Sequence, residues 1–342
     1  MSQVPQVSQV SRVSPLRAAR LPEAEPFGVG LLFPGQGAQR PGMGEPWRDT
    51  PHWKVVARLS EVCGRDLGRL LLHAGAEQLT RTDTAQLATF ALEMVVLDAL
   101  RTAVGELRPA ACAGHSLGEY AALTAAGVLA PEDGARLVAE RGAAMQEANR
   151  LTPGTMAVLI GTDIVPRTQK LAARMRAVRR AQVWVANING AEQVVISGAV
   201  DAVATLVEEA TRGGARAIRI PVGGAFHTPL MAPAGPRLAQ AVDRTPLHPA
   251  HCPVIANVDA RAHLHHQERW RAMMLRQLVM PVRWAGSMRT LTAMARGRLR
   301  LVEVGPGSTL ANLARRVLPA EIPVRSVATP AQVEALVAEW WH

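Results

Sequence analysis

Residues 111–120 read Ala111-Cys112-Ala113-Gly114-His115-Ser116-Leu117-Gly118-Glu119-Tyr120, a serine between two glycines, after a short apolar run and before an Ala/Leu-rich segment. This is the Gly-x-Ser-x-Gly pattern of a nucleophile elbow, in which a sharp strand-to-helix turn lifts the serine hydroxyl above a sheet. A serine held at a strained backbone angle needs neighbours without a Cβ, so that strand and helix can close on each other. The helix that follows points its first N–H groups at any oxyanion formed beside the serine. A Gly/Ser loop would give the same five residues. The flanking strand and helix patterns favour the elbow, with Ser116 as nucleophile.

Upstream, Gly28-Val29-Gly30-Leu31-Leu32-Phe33 reads as a buried strand, running into the glycine-punctuated loop Pro34-Gly35-Gln36-Gly37-Ala38-Gln39. No Gly-Lys-Ser/Thr follows, so the loop is not a Walker loop. Apolar spacing predicts helix over 53–72, and a longer helix to residue 104 whose N-cap candidates are Thr82, Asp83 and Thr84 and whose first turn holds Gln86. Strand is expected at 109–113 and helix at 117–129. Pro131 opens the next helix, on which Leu137, Val138, Arg141, Ala144, Met145 and Ala148 share one face. Arg141 on that stripe reads as a snorkelling or structurally paired arginine, or as a guanidinium awaiting a ligand carboxylate.

After residue 150 the order becomes strand (155–161), basic helix (165–179), strands 183–188 and 193–197 joined through Asn189-Gly190, helix (201–212) and strand (215–222). This β-α-β-β-α-β order is the ferredoxin-like signature. His227 then leaves a strand end through Gly223-Gly224, where the chain re-enters the larger lobe. His263, His265 and His266 lie in a polar segment without cysteines or acid pairs in ligand spacing, so no metal site is expected there. Further strands are read at 254–258 and 301–304, and helices at 268–278, 309–317 and 331–340. The fold expected is α/β: an α/β-hydrolase-like large domain (27–149 and 223–342), a ferredoxin-like small subdomain (150–222) and a disordered tail (1–26).

The 342 residues are 48% hydrophobic and 19% charged, the composition of a globular chain with a sizeable core. No apolar run approaches a membrane span of about 20 residues, and the tail lacks the apolar stretch of a signal peptide. Cys63, Cys112 and Cys252 are scattered, which fits a reducing cytoplasm. The net charge is +10, nearly all of it arginine, since Lys54 and Lys170 are the two lysines. It reads either as compositional bias or as a basic face for an anionic partner. One Tyr and four Phe leave no basic stretch with interleaved aromatics for nucleic acid.

Seven stretches carry a more specific signal: Phe33 to Gln39, Gly114 to Tyr120, Arg141-Gly142 with Met145-Gln146, Val185-Ala186-Asn187, Ala225-Phe226-His227, Arg276-Gln277-Leu278 before Pro281, and Glu303-Val304-Gly305-Pro306-Gly307. In order and spacing over about residues 28–318 they resemble the malonyl-CoA:acyl carrier protein transacylases and the acyltransferase domains of polyketide synthases. The resemblance implies Ser116 as nucleophile, His227 as its base, and an oxyanion hole from the backbone N–H groups of Gln36 and Leu117. It implies Arg141 as holder of the malonyl carboxylate with Gln86 nearby, and the Gln277 backbone carbonyl as the group orienting His227. Asn187 and Asn189 fall where the family's small lobe faces the cleft. Leu87, Ile188 and Gly223 depart from the family's usual residues, and Leu87 and Gly223 bear on acyl selectivity. The expected partners are malonyl-CoA and an acyl carrier protein of fatty acid or polyketide synthesis, with no membrane or nucleic acid and no cofactor beyond the CoA thioester and the carrier's phosphopantetheine. The expected enzyme is a cytoplasmic monomer. An editing hydrolase on the same scaffold is the alternative, differing in whether water or a thiol reaches the acyl-serine; Arg141 would bring it nothing.

Overall fold

The computed structural model describes residues 28–265, 268–294 and 299–341; the expected tail (1–26) and His266 lie outside them. In chain order the strands are β1 (Gly28–Phe33), β2 (Ala111–Gly114), β3 (Thr155–Ile160), β4 (Val183–Gly190), β5 (Gln193–Gly198), β6 (Arg216–Ile220), β7 (Val254–Ile255), β8 (Ala262–His263), β9 (Leu299–Val304) and β10 (Val324–Val327). They form a mixed α/β large domain, with sheet order β10-β9-β1-β2-β7-β8, and a small subdomain with order β4-β5-β3-β6.

In the large sheet β1 lies at the centre, parallel to β2 and β9, and β8 is the antiparallel edge. Residues 29–33 and 111–114 are buried throughout, as strands covered by helices on both faces must be. The carboxyl ends of β1, β2 and β9 point the same way and deliver the Gln36 loop, Ser116 and the Gly305-Pro306-Gly307 turn to one edge. Crevices at the carboxyl ends of parallel strands are where α/β proteins bind ligands. Helix Thr82–Val104 runs through the core, with every residue from Thr84 to Leu97 buried. Helix Pro131–Leu151 packs closely on it: a Cβ on Gly142 would lie 2.9 Å from the Asp83 Cα.

The small sheet is antiparallel and has the ferredoxin-like strand order. One face, with Ala157, Leu159, Val194 and Ile196, is buried with Leu206 and Met175 of helices Val200–Arg212 and Ile164–Arg179. The other face turns to the large domain. There the outer edge of β4, opposite its hairpin partner β5, bonds to the large domain: Ile188 N–H donates to Val282 O and Val282 N–H to Ala186 O, both at 2.9 Å.

Several sequence expectations shift. Asn189-Gly190 is not the hairpin turn; Gly190 pairs with Gln193 and the chain reverses at Ala191-Glu192. The 53–72 helix breaks at Gly64 into Lys54–Cys63 and Leu67–His73. The elbow helix is shorter than expected, Gly118–Ala125. The strand at 254–258 ends at Ile255, because Asn257 is drawn aside into side-chain bonds described below. Strands β8 and β10 and helix Trp284–Met294 were not expected. Cys112 and Cys252, distant in sequence, meet as buried free thiols with their Sγ atoms 3.6 Å apart.

Candidate active site

The elbow is dictated by backbone contact. A Cβ on Gly114 would stand 1.9 Å from the Gly118 carbonyl, and one on Gly118 would stand 2.0 Å from Phe33 O, so neither position admits a side chain. Between them Ser116 adopts φ 54, a left-handed conformation that costs about 1–3 kcal/mol in a non-glycine residue. Asn257 holds the turn: its Oδ1 accepts from the Ser116 N–H at 2.8 Å, and its Nδ2 donates to Gly114 O at 2.6 Å.

His227 is buried, also at positive φ (59). Thr228 fixes the chain after it by donating to Ala225 O at 2.7 Å and accepting from the Leu230 N–H at 3.2 Å. The imidazole Nε2 is 2.8 Å from Ser116 Oγ, and Nδ1 is 2.8 Å from Gln277 O. A carbonyl can only accept, so Nδ1 carries the proton and the Nε2 lone pair faces the serine hydroxyl. Burial, and then the charge of Arg141, pushes the imidazole down to about 3. It is therefore neutral, the state a base requires.

Arg141 is 1% exposed. Its Nη1 donates to Gln86 Oε1 at 2.5 Å, and its Nη2 to Gln277 Oε1 at 2.9 Å and to Ser116 Oγ at 3.2 Å. The Tyr120 ring lies 5.4 Å from the guanidinium carbon. Burial lowers its pKa, yet a guanidinium stays charged. The residue neither snorkels nor bonds to a core carboxylate. It is a cation facing neutral acceptors beside a serine hydroxyl.

These groups form the floor of a cavity of about 400 Å³. Gln36, Gln86, Ser116, Leu117, Arg141, Asn187, Asn189 and His227 all line it, and Gln277 bonds to the floor from behind. Among the described residues, the N–H groups of Gln36 and Leu117 donate to no other protein group. Asn189 accepts from His115 Nε2 at 3.1 Å, and burial lowers the His115 pKa, so that ring too is neutral. Asn187 is bridged to Val282 through the backbone. Glu303 caps helix Thr309–Val317 by accepting from Leu310 and Ala311 N–H, and Asn312, Leu313 and Arg316 of that helix line the cavity.

Three participants were not read from the sequence: Glu119, Asn257 and the side chain of Gln277. Glu119, an acid inside the apolar elbow helix, was the available signal. His263 bonds to Asp259 Oδ2 at 3.1 Å.

The model of the acyl transferase domain family matches residues 31–340. The malonyl CoA-acyl carrier protein transacylase of Bacillus subtilis (strain 168) is 36% identical over 295 residues, 84% of this chain and 90% of its own. The solved malonyl CoA-acyl carrier protein transacylase of Coxiella burnetii superposes with a TM-score of 0.85 at 32% identity, covering 93% of this chain and 99% of that one. A malonyl-transacylase solved in complex with a type II polyketide acyl-carrier protein gives 0.85 at 31%, covering 91% and 99%.

Proposed function

The chain belongs to the acyl transferase domain family, and from that membership we propose that it moves a malonyl group from malonyl-CoA to the phosphopantetheine thiol of an acyl carrier protein, through an ester on Ser116. It is an acyltransferase serving fatty acid or polyketide synthesis. Ser116 Oγ gives its proton to His227 Nε2 and attacks the thioester carbonyl carbon. The oxyanion is held by the N–H groups of Gln36 and Leu117, each such donor contributing about 2.7–4 kcal/mol in comparable sites. The C–S bond breaks, His227 returns the proton to the leaving CoA sulfur, and malonyl-Ser116 remains. The carrier thiol then gives its proton to His227 and attacks the ester; the C–O bond breaks and His227 returns the proton to Ser116 Oγ. Protein groups suffice for every step, and we read the enzyme as cofactor-free.

The observation that carries the malonyl reading is the buried Arg141 guanidinium, 3.2 Å from Ser116 Oγ and bonded to neutral acceptors. A carboxylate there replaces a weak contact with a two-pronged, charge-assisted one, with Gln86 fixing the fork. An editing hydrolase would use Ser116 and His227 but has no need of that fork. No helix among the described residues is long and apolar enough to cross a membrane, and the free thiols suit the cytoplasm we propose.

Intact-protein mass after mixing with malonyl-CoA tests the reading. One malonyl adduct should form, pass to added holo-carrier protein, and be absent from Ser116→Ala. An adduct of normal stoichiometry on the alanine variant would remove Ser116 from the mechanism.

A further inference from the structure

Glu119 has no part in the steps above, yet it ties the site together. Its side chain is completely buried in the first turn of helix Gly118–Ala125. One oxygen accepts from the Asn257 N–H at 2.5 Å and the other from Gln277 Nε2 at 2.9 Å. Both branches end at the nucleophile: Asn257 holds the Ser116 N–H, and Gln277 Nε2 also donates to Ser116 O at 2.9 Å. Gln277 Oε1 meanwhile accepts from Arg141. A single amide thus stands between guanidinium and carboxylate, and a bond at one end of an amide strengthens the bond at the other.

Resting on Arg141 as the malonyl clamp, we propose that Glu119 is a positioning residue: in its carboxylate form it supplies the counter-charge of Arg141 through the Gln277 amide, and it gives up that charge to the malonyl carboxylate by taking a proton from solvent. Both of its oxygens accept bonds, which favours the carboxylate. Burial opposes this and pushes the group up to about 8, against the lowering effects of Asn257, Gln277 and Arg141. Its charge is therefore poised close to neutral pH. A second anion on Arg141 weakens the one cationic influence and raises the value further.

The charged and titratable groups facing Glu119 are Arg141 from helix Pro131–Leu151, Asp259 from the turn after β7, and Tyr120 from its own helix. Helix Glu268–Val279 contributes the neutral Gln277, and Glu93 of helix Thr82–Val104 faces Glu303 instead. Burial pushes Tyr120 up to about 12. Asp259, although partly buried, is held below the usual carboxylate range by His263. Neither changes charge between pH 7 and 10.

The sign follows from linkage. Below about 8 Glu119 is protonated with or without malonyl, and pH has no influence through it. Above that value malonyl binding must draw in a proton, so the preference for malonyl falls by up to about tenfold per pH unit until the bound-state pKa is reached. The ratio of kcat/KM for malonyl-CoA to that for acetyl-CoA isolates the effect, because the CoA moiety, His227 and the fold are common to both.

We expect this ratio to fall above pH 8 in the wild type, to be flat in Glu119→Gln, and to fall again in Glu119→Asp. A flat wild-type ratio from pH 7 to 10, or a fall that survives in Glu119→Gln, would overturn the proposal. Should Glu119→Gln not fold, the wild type decides alone: a pH-indicator dye at pH 8.5 should report more proton uptake per active site with malonyl-CoA than with acetyl-CoA, and equal traces would overturn it. If malonyl-CoA yields no acyl-enzyme at all, the transacylase reading fails; if it does and the ratio is flat, the role of Glu119 alone fails.

Discussion

The cleft has a floor and a wall, and they are built on different principles. On the floor Ser116, His227, Arg141 and Gln86 each hold a directional partner 2.5–3.2 Å away. They arrive from the ends of strands and from two closely packed helices, so backbone geometry fixes them. The wall is one face of the small sheet. Met156 and Val158 on β3 stand beside Ile220 on β6 and Val195 on β5, aliphatic side chains in register, joined by Asn187 and Asn189. Hydrogen bonds set position to tenths of an ångström, whereas aliphatic packing sets volume. The floor accordingly decides the chemistry and the carboxylate, and the wall decides how much room remains for the acyl chain and the pantetheine arm.

This contrast is best attacked first at His227. Its replacement by alanine should slow both acylation and transfer about 100- to 10 000-fold, the range of a lost general base; single-turnover rates within a few-fold of wild type would place the base elsewhere. Arg141→Ala comes next and should discriminate between substrates. Breaking a buried charge pair costs about 2–5 kcal/mol, or about 30-fold to several thousand-fold in kcat/KM for malonyl-CoA. Acetyl-CoA, which lacks the carboxylate, should be affected far less, so that the preference inverts, and lysine should rescue only in part. Equal losses with both substrates would make Arg141 structural.

On the wall, Val158→Ala should change malonyl transfer by less than about tenfold, the low end for small changes in an apolar pocket, while larger acyl groups gain ground. A loss comparable to that of Arg141→Ala would erase the distinction between the two regions. The smallest expected effect is a flat line. An unperturbed histidine, at about 6.5, would be mostly protonated by pH 5. His227, pushed down to about 3, stays neutral there, so acetylation of Ser116 from acetyl-CoA should hold its rate from pH 7 to pH 5. A decline centred near 6.5 would mean that the ring is more solvated than its burial indicates.

The floor was partly legible in the sequence because its strongest features are local. Gly114, Ser116 and Gly118 are one turn, and Arg141 lies on a stripe whose period is visible in the chain. The pairing of His227 with the Gln277 carbonyl came through the resemblance to known transacylases, since no local pattern announces a backbone acceptor. Glu119, Asn257 and the Gln277 side chain escaped because their partners lie 136 to 161 residues apart. An amide or acid read without its partner resembles any other. The fold behaved likewise. Pro131 was read as the opening residue of its helix and is the first residue of Pro131–Leu151, but the two-residue strand β8 owes its existence to its pairing with β7. Asn189-Gly190 has turn chemistry, yet ladder pairing to Gln193 carries the strand through it.

The backbone bonds between β4 and Val282 have a consequence for recombination between relatives. The small subdomain looks like a cassette, since the chain enters and leaves it close together: a Cβ on Gly154 would lie 2.6 Å from the Ala225 Cβ. The outer edge of that cassette nevertheless bonds to Val282, some sixty positions beyond the exit, beside the Met280-Pro281 corner. A chimaera that swaps the insert alone joins a foreign strand to a native suture, and puts Asn189 out of line with His115. The natural unit of exchange is discontinuous: the insert together with the stretch around Val282.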